Sequence, residues 1–209
     1  MKLIKVNKLL ILFLSFVVLS SGCSTVSLQK SKPVESDADL ERILIIAMTN
    51  EFDTRSMWEQ ELSYRLRDMG YRMFSSVNVD KQKKDLFTRE EIIELIDEKN
   101  IHGVITMRLK DIQTKEKYTT SDRYISDMYN RHNYFYNYVD TYYNVFAWSY
   151  QPQQTIVIEA NLFDGSNKEL IFTVDATMKN AETQEERVGE MTKGIAKAMA
   201  SSGYLKKRE

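Results

Sequence analysis

The feature that most constrains the fold is a repeated switch between strand-like and helix-like hydrophobic patterns in the first half of the chain. Residues 43–46 form an unbroken apolar run, which is typical of a buried central strand. Residues 53–69 then carry apolar side chains at helical spacing, and Gly70 is a natural stop before a second strand at residues 71–75. This order predicts parallel strands joined by helical crossovers.

The second predicted helix has the clearest local signature in the chain. Thr88 and Glu91 fit a capping box, and Phe87 and Ile92 are placed to form a hydrophobic staple. Residues 102–112 follow with apolar and polar side chains in alternation, which indicates a strand with one buried face. We therefore expect a third strand parallel to the first two.

The C-terminal part of the sequence predicts an antiparallel hairpin followed by a helix. Residues 156–162 and 170–176 each alternate apolar and polar positions, and residues 164–167 have the composition of a turn. Thr183 and Glu186 then fit a second capping box. The predicted fold class is α/β (α+β), with a mixed sheet of about five strands flanked by three helices and a long aromatic insertion before the C-terminal hairpin.

Residues 1–22 have the features of a cleaved bacterial signal peptide. Three lysines and no acidic residue precede an apolar run over residues 9–19, which is shorter than a transmembrane helix needs. The segment 20–23 resembles the lipobox of bacterial lipoproteins, although Ser20 stands where the motif usually has leucine. The resemblance implies a covalent diacylglycerol and an N-acyl lipid on Cys23, which would anchor the chain to a membrane.

The surroundings of Cys23 fit that interpretation. It is the single cysteine of the chain, so no disulfide can form within the chain, and acylation would consume a thiol that is otherwise a liability in an oxidising envelope. An ordinary secreted protein with a stray cysteine is the alternative. Residues 23–39 are polar and predict a lipid anchor with a flexible tether, followed by one domain over residues 40–209. Ser24, rather than aspartate, indicates the outer membrane facing the periplasm if the host resembles enteric bacteria.

Composition and motifs argue against several classes of function. Removal of residues 1–22 changes the formal net charge from −1 to −4, and no basic patch with interleaved aromatics suggests nucleic acid. The two histidines, His102 and His132, match no metal-ligand spacing, and the sequence has neither a phosphate-binding glycine loop nor a G-x-S-x-G motif. The acidic pairs 90–91 and 185–186 are explained by helix N-termini. We expect no enzymatic activity, no metal and no cofactor beyond the lipid.

Residues 113–153 interrupt the pattern with about forty residues where a short connection would suffice. They hold most of the tyrosines, and from residue 134 onward aromatic residues occupy alternate positions. Such rings suit partner surfaces or sugar stacking, although they could instead pack as additional core, and charged residues among them argue against a lipid-facing strand. The candidate binding surface consists of Tyr134, Tyr136, Tyr138, Tyr142 and Trp148.

The order of elements resembles a small envelope domain found at the N-terminus of TolB, in the curli secretion protein CsgG and in lipoprotein activators of penicillin-binding proteins. The supporting segments are residues 42–46, residues 102–107, the hairpin strand 170–174 and the closing helix to residue 205. The resemblance covers about residues 40–205 and lies in topology rather than in a motif. It implies a non-enzymatic protein that binds other envelope proteins, and fold alone does not carry function.

Two functional hypotheses follow from the sequence. The first is a non-enzymatic, membrane-anchored envelope lipoprotein that acts as a protein-interaction or assembly module. The second is a lipoprotein that binds a small ligand or a glycan through the aromatic insertion.

The lipobox interpretation makes a direct prediction. The mature protein should partition into detergent and incorporate labelled palmitate, because two or three acyl chains anchor a protein firmly. Cys23→Ala should abolish both properties, as measured by phase partition and by radiolabelling. Unchanged partition and labelling in that variant would contradict the interpretation.

Overall fold

The computed structural model describes residues 26–31, 39–79, 85–113, 155–179, 181 and 183–205. Within these ranges the chain forms a mixed sheet of six strands with four helices, which confirms the α/β class. In chain order the elements are β1 (Val26–Lys30), β2 (Arg42–Ala47), α1 (Phe52–Arg67), β3 (Arg72–Ser75), α2 (Ser76–Val79), α3 (Arg89–Glu98), β4 (Gly103–Gln113), β5 (Thr155–Asp164), β6 (Leu170–Lys179) and α4 (Gln184–Ser201).

The strands lie in the order β1-β6-β5-β4-β2-β3. β2 pairs in parallel with β3 on one side and with β4 on the other, so both predicted helical crossovers are confirmed. β4 pairs antiparallel with β5, and β5 pairs antiparallel with β6 through the predicted hairpin. The sheet therefore has a parallel half (β3, β2 and β4) and an antiparallel half (β4, β5, β6 and β1), and β4 belongs to both.

Each face of the sheet is covered by a different set of helices. On one face Ile43 and Ile45 of β2 belong to the larger core cluster, which also contains residues of α1 and α4. On the other face Leu44 and Ile46 belong to a smaller cluster with α3. The unbroken apolar run of β2 thus results from burial on both faces. No helix within the described ranges is long and apolar enough to cross a membrane.

Helix ends follow the sequence signals. Thr88 Oγ1 accepts a hydrogen bond from the Glu91 N–H at 3.3 Å, and Glu91 Oε2 accepts one from the Thr88 N–H at 2.7 Å. Thr183 Oγ1 accepts from the Glu186 N–H at 3.0 Å at the start of α4. Asn100 and Gly70, with φ of 48° and 92°, follow α3 and α1 in the left-handed conformation that ends many helices.

β1 differs from the flexible tether expected for residues 23–39. Val26–Lys30 form an edge strand that pairs antiparallel with β6, from Val26↔Met178 to Lys30↔Val174. Val26 and Leu28 point to the larger core cluster, while the intervening residue is exposed. The tether prediction is therefore wrong for these five residues, because two alternating apolar side chains are too weak a signal to reveal a strand whose partner lies about 150 residues away.

Helix α4 approaches β1 closely at a glycine. A Cβ atom on Gly194 would lie 3.2 Å from Leu28 Cδ2 and 3.3 Å from Val26 Cγ1, which is tighter than ordinary contact. By contrast, a Cβ atom on Gly189 of the same helix would lie 3.8 Å from Arg65 Nη2. Gly194 thus lets the helix backbone pack directly on the edge strand.

The two helix glycines should respond oppositely to substitution. Gly194→Leu should lower the free energy of unfolding by about 1–3 kcal/mol because its side chain overlaps β1. Gly189→Ala, the matched control, should raise it by about 0.5–1 kcal/mol through helix propensity alone. Urea denaturation would measure both. Leu28→Ala should offset part of the Gly194→Leu loss, and strictly additive losses would show that the two residues do not meet.

Candidate functional site

The sheet face opposite α1 and α4 is only partly apolar. Across β4, β5 and β6 this face carries two rows of polar side chains from residues that are paired in the strand register. One row is Arg108↔Glu159↔Asp175, and the other is Thr106↔Asn161↔Thr173. Arg108 and Glu159 are buried, with 4% and 3% of their surface exposed. The polar cluster consists of Thr106, Arg108, Lys110, Glu159, Asn161, Thr173 and Asp175.

Its centre is a two-point ion pair between directly opposed residues. Arg108 Nε donates to Glu159 Oε1 at 2.7 Å, and Arg108 Nη2 donates to Glu159 Oε2 at 3.0 Å. Asn161 Nδ2 donates to Glu159 Oε1 at 2.9 Å and is itself positioned by Thr173 Oγ1, which donates to Asn161 Oδ1 at 2.7 Å. The parallel fork of the guanidinium fits the carboxylate, so the pair has strict geometry as well as charge complementarity.

A second pair extends the cluster to β6. Lys110 Nζ lies 2.5 Å from Asp175 Oδ2 and 3.7 Å from Glu159 Oε2. Two cations therefore meet two carboxylates, and the formal charge of the cluster is zero. The cluster ties three neighbouring strands together with charges that would be costly to bury singly.

The two carboxyl groups respond differently to these surroundings. Burial alone would raise the pKa of Glu159, but the Arg108 charge and its hydrogen bonds hold that pKa below its ordinary value. Desolvation raises the pKa of Asp175 above its ordinary value, and the neighbouring Glu159 charge acts in the same direction. Glu159 is thus an ionised partner of Arg108 at neutral pH, as a structural ion pair requires.

The polar cluster lies near the end of the sheet from which the insertion departs. Ala47, the last residue of β2, pairs with Met107, and β4 continues beyond it to Gln113. Gln113 pairs with Thr155, the first residue of β5. The insertion therefore leaves and re-enters the sheet on adjacent strands, a few residues beyond the ion pairs.

A separate buried carboxylate organises the loops at the carboxyl end of β2. Glu59 of α1 is fully buried and accepts hydrogen bonds from the Ala47 N–H at 2.8 Å and the Val77 N–H at 3.1 Å. The hydroxyls of Ser75 and Ser76 donate to it at 2.8 and 2.6 Å. Desolvation raises the pKa of Glu59, opposed by these four hydrogen bonds. The carboxylate holds β2, β3 and α2 in place, which is a structural task.

The residues singled out from the sequence are distributed unevenly over this structure. Cys23, the candidate binding surface and His132 lie outside the described residues. The His102 ring is 3.0 Å from the Asn100 side-chain amide, and its backbone bonds to Arg42 and Gly165, so it sits in a hydrogen-bonded structural position. Among the residues that the structure describes, no group of histidine, cysteine and acidic side chains could hold a metal ion.

Sequence reasoning missed the burial of Glu59 and Glu159. The alternation in β4 placed Arg108 and Lys110 on the polar side, and the hairpin pattern did the same for Glu159 and Asp175. Alternation shows on which face of the sheet each side chain lies, but it does not show which strand pairs with its own. Glu59 carried no signal, because an acidic residue within an amphipathic helix is usually exposed.

Comparison with known proteins gives only a weak structural similarity. No protein-family model matches the chain, and no curated protein matches it. Two solved structures of the PelC dodecamer from Paraburkholderia phytofirmans, one of them a single-residue variant, are similar at 12% identity. Each covers 88% of this chain and 100% of its own, with TM-scores of 0.48 and 0.46. The likeness to the TolB, CsgG and activator-lipoprotein domains stays a prediction.

The buried ion pair predicts a specific pH dependence. Glu159→Gln should lower the free energy of unfolding by about 3–5 kcal/mol at neutral pH, because it leaves Arg108 buried without its counter-ion. The pKa of Glu159 is lowered in the folded chain, so its contribution is present above the ordinary value of 4.5 and is lost as pH falls through the lowered value. The wild-type and variant stabilities should therefore converge in acid.

Denaturation at several pH values would measure this convergence. The double variant Arg108→Met with Glu159→Leu is the matched control, because replacing a whole buried pair by apolar residues is often neutral. A constant difference between wild type and Glu159→Gln from pH 7 down to pH 2 would show that charge is not the cause.

Proposed function

We propose that this chain is a lipid-anchored, non-enzymatic envelope protein that acts as a protein-interaction or assembly module. In this proposal Cys23 carries the lipid, the α/β domain is the scaffold, and the aromatic insertion supplies the contact surface. The outer membrane, with the domain in the periplasm, is the proposed location.

The observation that carries the proposal is the way the insertion is attached. The last residue of β4, Gln113, and the first residue of β5, Thr155, between which the insertion runs, are register partners on adjacent strands. Just before this point Lys110, Arg108 and Glu159 lock β4 to its neighbours. Binding segments are commonly displayed from rigid scaffolds of this kind, since a fixed base reduces the entropy lost when a partner binds.

The charges of the domain support a scaffold role. The most deeply buried carboxylates, Glu59 and Glu159, each accept several hydrogen bonds that hold strands and loops together. A general acid or base must instead reach the proton it transfers in a bound substrate. Both carboxylates instead serve as structural ties, as expected of a scaffold that presents a binding segment.

The chemistry of the insertion favours a protein partner. Tyrosine and tryptophan combine large apolar area with a polar tip, and both are enriched at the energetic centres of protein interfaces. The same rings stack on sugars, which keeps glycan binding as the alternative to be separated by experiment.

The triple variant Tyr136→Ala, Tyr138→Ala and Trp148→Ala tests the proposal. Photo-crosslinking in intact membranes should show loss of the protein partner, while the melting temperature changes little because exposed substitutions usually cost under about 0.5 kcal/mol each. Tyr64→Ala is the matched control, since Tyr64 is 60% exposed on α1 and belongs to the scaffold. Its crosslinks should persist.

Three outcomes would count against the proposal. Unfolding of the triple variant would mean that the rings are core, since core aromatics cost about 3–5 kcal/mol each. Equal loss of crosslinks in Tyr64→Ala would place the contact elsewhere. Retention of the wild type on peptidoglycan or glycan, with no protein crosslink, would favour the alternative function.

A further inference from the structure

The strand register places the beginning of β1 and the base of the insertion at the same end of the sheet. Val26 pairs with Met178, Met178 pairs with Ile156, and Ile156 pairs with Ile112. We call these four residues the terminal row. Adjacent strands lie about 4.8 Å apart, so the row spans about 14 Å across four strands.

The acylated cysteine would be held close to this row. Cys23 is three residues before Val26. Even in a fully extended chain three residues reach only about 11 Å, because consecutive Cα atoms are 3.8 Å apart. On the basis of the proposed lipid anchor, we propose that the terminal row faces the lipid surface, held there by this three-residue connection, and that the opposite end of the sheet points away from it.

The segment between Cys23 and β1 could become longer only if residues of β1 separated from β6. Five register pairs bind β1 to β6, and Ser31 extends the contact, with its N–H donating to Thr173 O at 2.9 Å and its Oγ accepting from the Thr173 N–H at 2.9 Å. Lys30 Nζ donates to Ser201 Oγ of α4 at 2.6 Å. The close approach of Gly194 to Val26 and Leu28 adds side-chain packing. Val26 is therefore the first described residue that the sheet holds in place.

The surface chemistry of this end suits a zwitterionic phospholipid headgroup layer. Ile112 is 40% exposed, and among the described residues only it and Tyr64 are large apolar side chains left exposed. The residues next to Ile112 and Met178 in the chain include Asp111 and the exposed Lys179, one of each sign. An exposed apolar side chain without a dominant local charge favours contact with such a layer, whereas a strongly charged end would select or repel anionic lipid.

The opposite end of the sheet provides an internal reference. Glu98 ends α3 and is 62% exposed, close to the start of β4 at Gly103. Nine strand steps separate Gly103 from Ile112, which amounts to about 30 Å. A probe at Glu98 should therefore report on a position well away from the lipid.

The full lipidated chain, reconstituted into phosphatidylcholine and phosphatidylethanolamine vesicles, allows a direct test. Cys23 is the single cysteine and is acylated, so Ile112→Cys and Glu98→Cys can each be labelled with a fluorophore at one site. Nitroxide attached to the lipid headgroups should quench the label at position 112 at least threefold more strongly than the label at position 98. A variant with twelve Gly and Ser residues inserted between Thr25 and Val26 should lose most of that difference.

Each possible result either supports or overturns the proposed orientation. Absence of flotation with the vesicles would overturn the lipid anchor and this inference together. Flotation with equal quenching at the two positions, or stronger quenching at position 98, would overturn the orientation while leaving the anchor intact. Full quenching at position 112 in the lengthened variant would show that the short connection does not hold the terminal row in place.

Discussion

The antiparallel pairing of β4 with β5 is the interaction on which the rest of the structure depends. It runs from Gly103↔Asp164 to Gln113↔Thr155 and joins the parallel half of the sheet to the antiparallel half. β4, like β2, contributes residues to both core clusters, so this pairing attaches the antiparallel strands to the layer that separates the clusters. The pairing also closes a loop of about forty residues. The entropy cost of closing a loop grows only slowly with its length. Here that cost is offset by ten paired residue positions between β4 and β5 and by a buried ion pair.

The fold could be predicted in outline because each of its main elements carries a local signal. Thr88 with Glu91 marks a helix start through hydrogen bonds between residues three apart, and the apolar run of β2 reports burial on both faces. The short helix α2 and the edge strand β1 escaped prediction. Both owe their conformation to distant partners, namely the Glu59 carboxylate that binds Ser76 and Val77, and the β6 backbone that pairs with Val26–Lys30. Neither partner is visible in a window of neighbouring residues.

The site was less accessible to sequence reasoning than the fold. Alternation shows that Arg108 and Glu159 avoid the larger core, but only the register shows that they oppose each other. The sequence identified the insertion by the number and spacing of its tyrosines. The structure adds its point of attachment, which lies on two adjacent strands joined by ion pairs. These facts describe a domain in which buried polar residues fix how neighbouring strands are aligned, and in which the insertion joins the sheet at one end.

The orientation of β1 would have a mechanical consequence under the proposed lipid anchor. Its N-terminus, Val26, lies at the Met178 end of β6. Under the proposed lipid anchor, a pull exerted through Cys23 would enter the strand at that end and load it nearly along its length. Force in that direction loads all five register pairs at once, in shear, whereas a pull from the Lys30 end across the sheet would peel them apart one after another. The pairing of β1 with β6 should therefore resist a pull between membrane and domain far better than the five residues of β1 suggest. The packing of α4 against Val26 and Leu28 should stiffen it further.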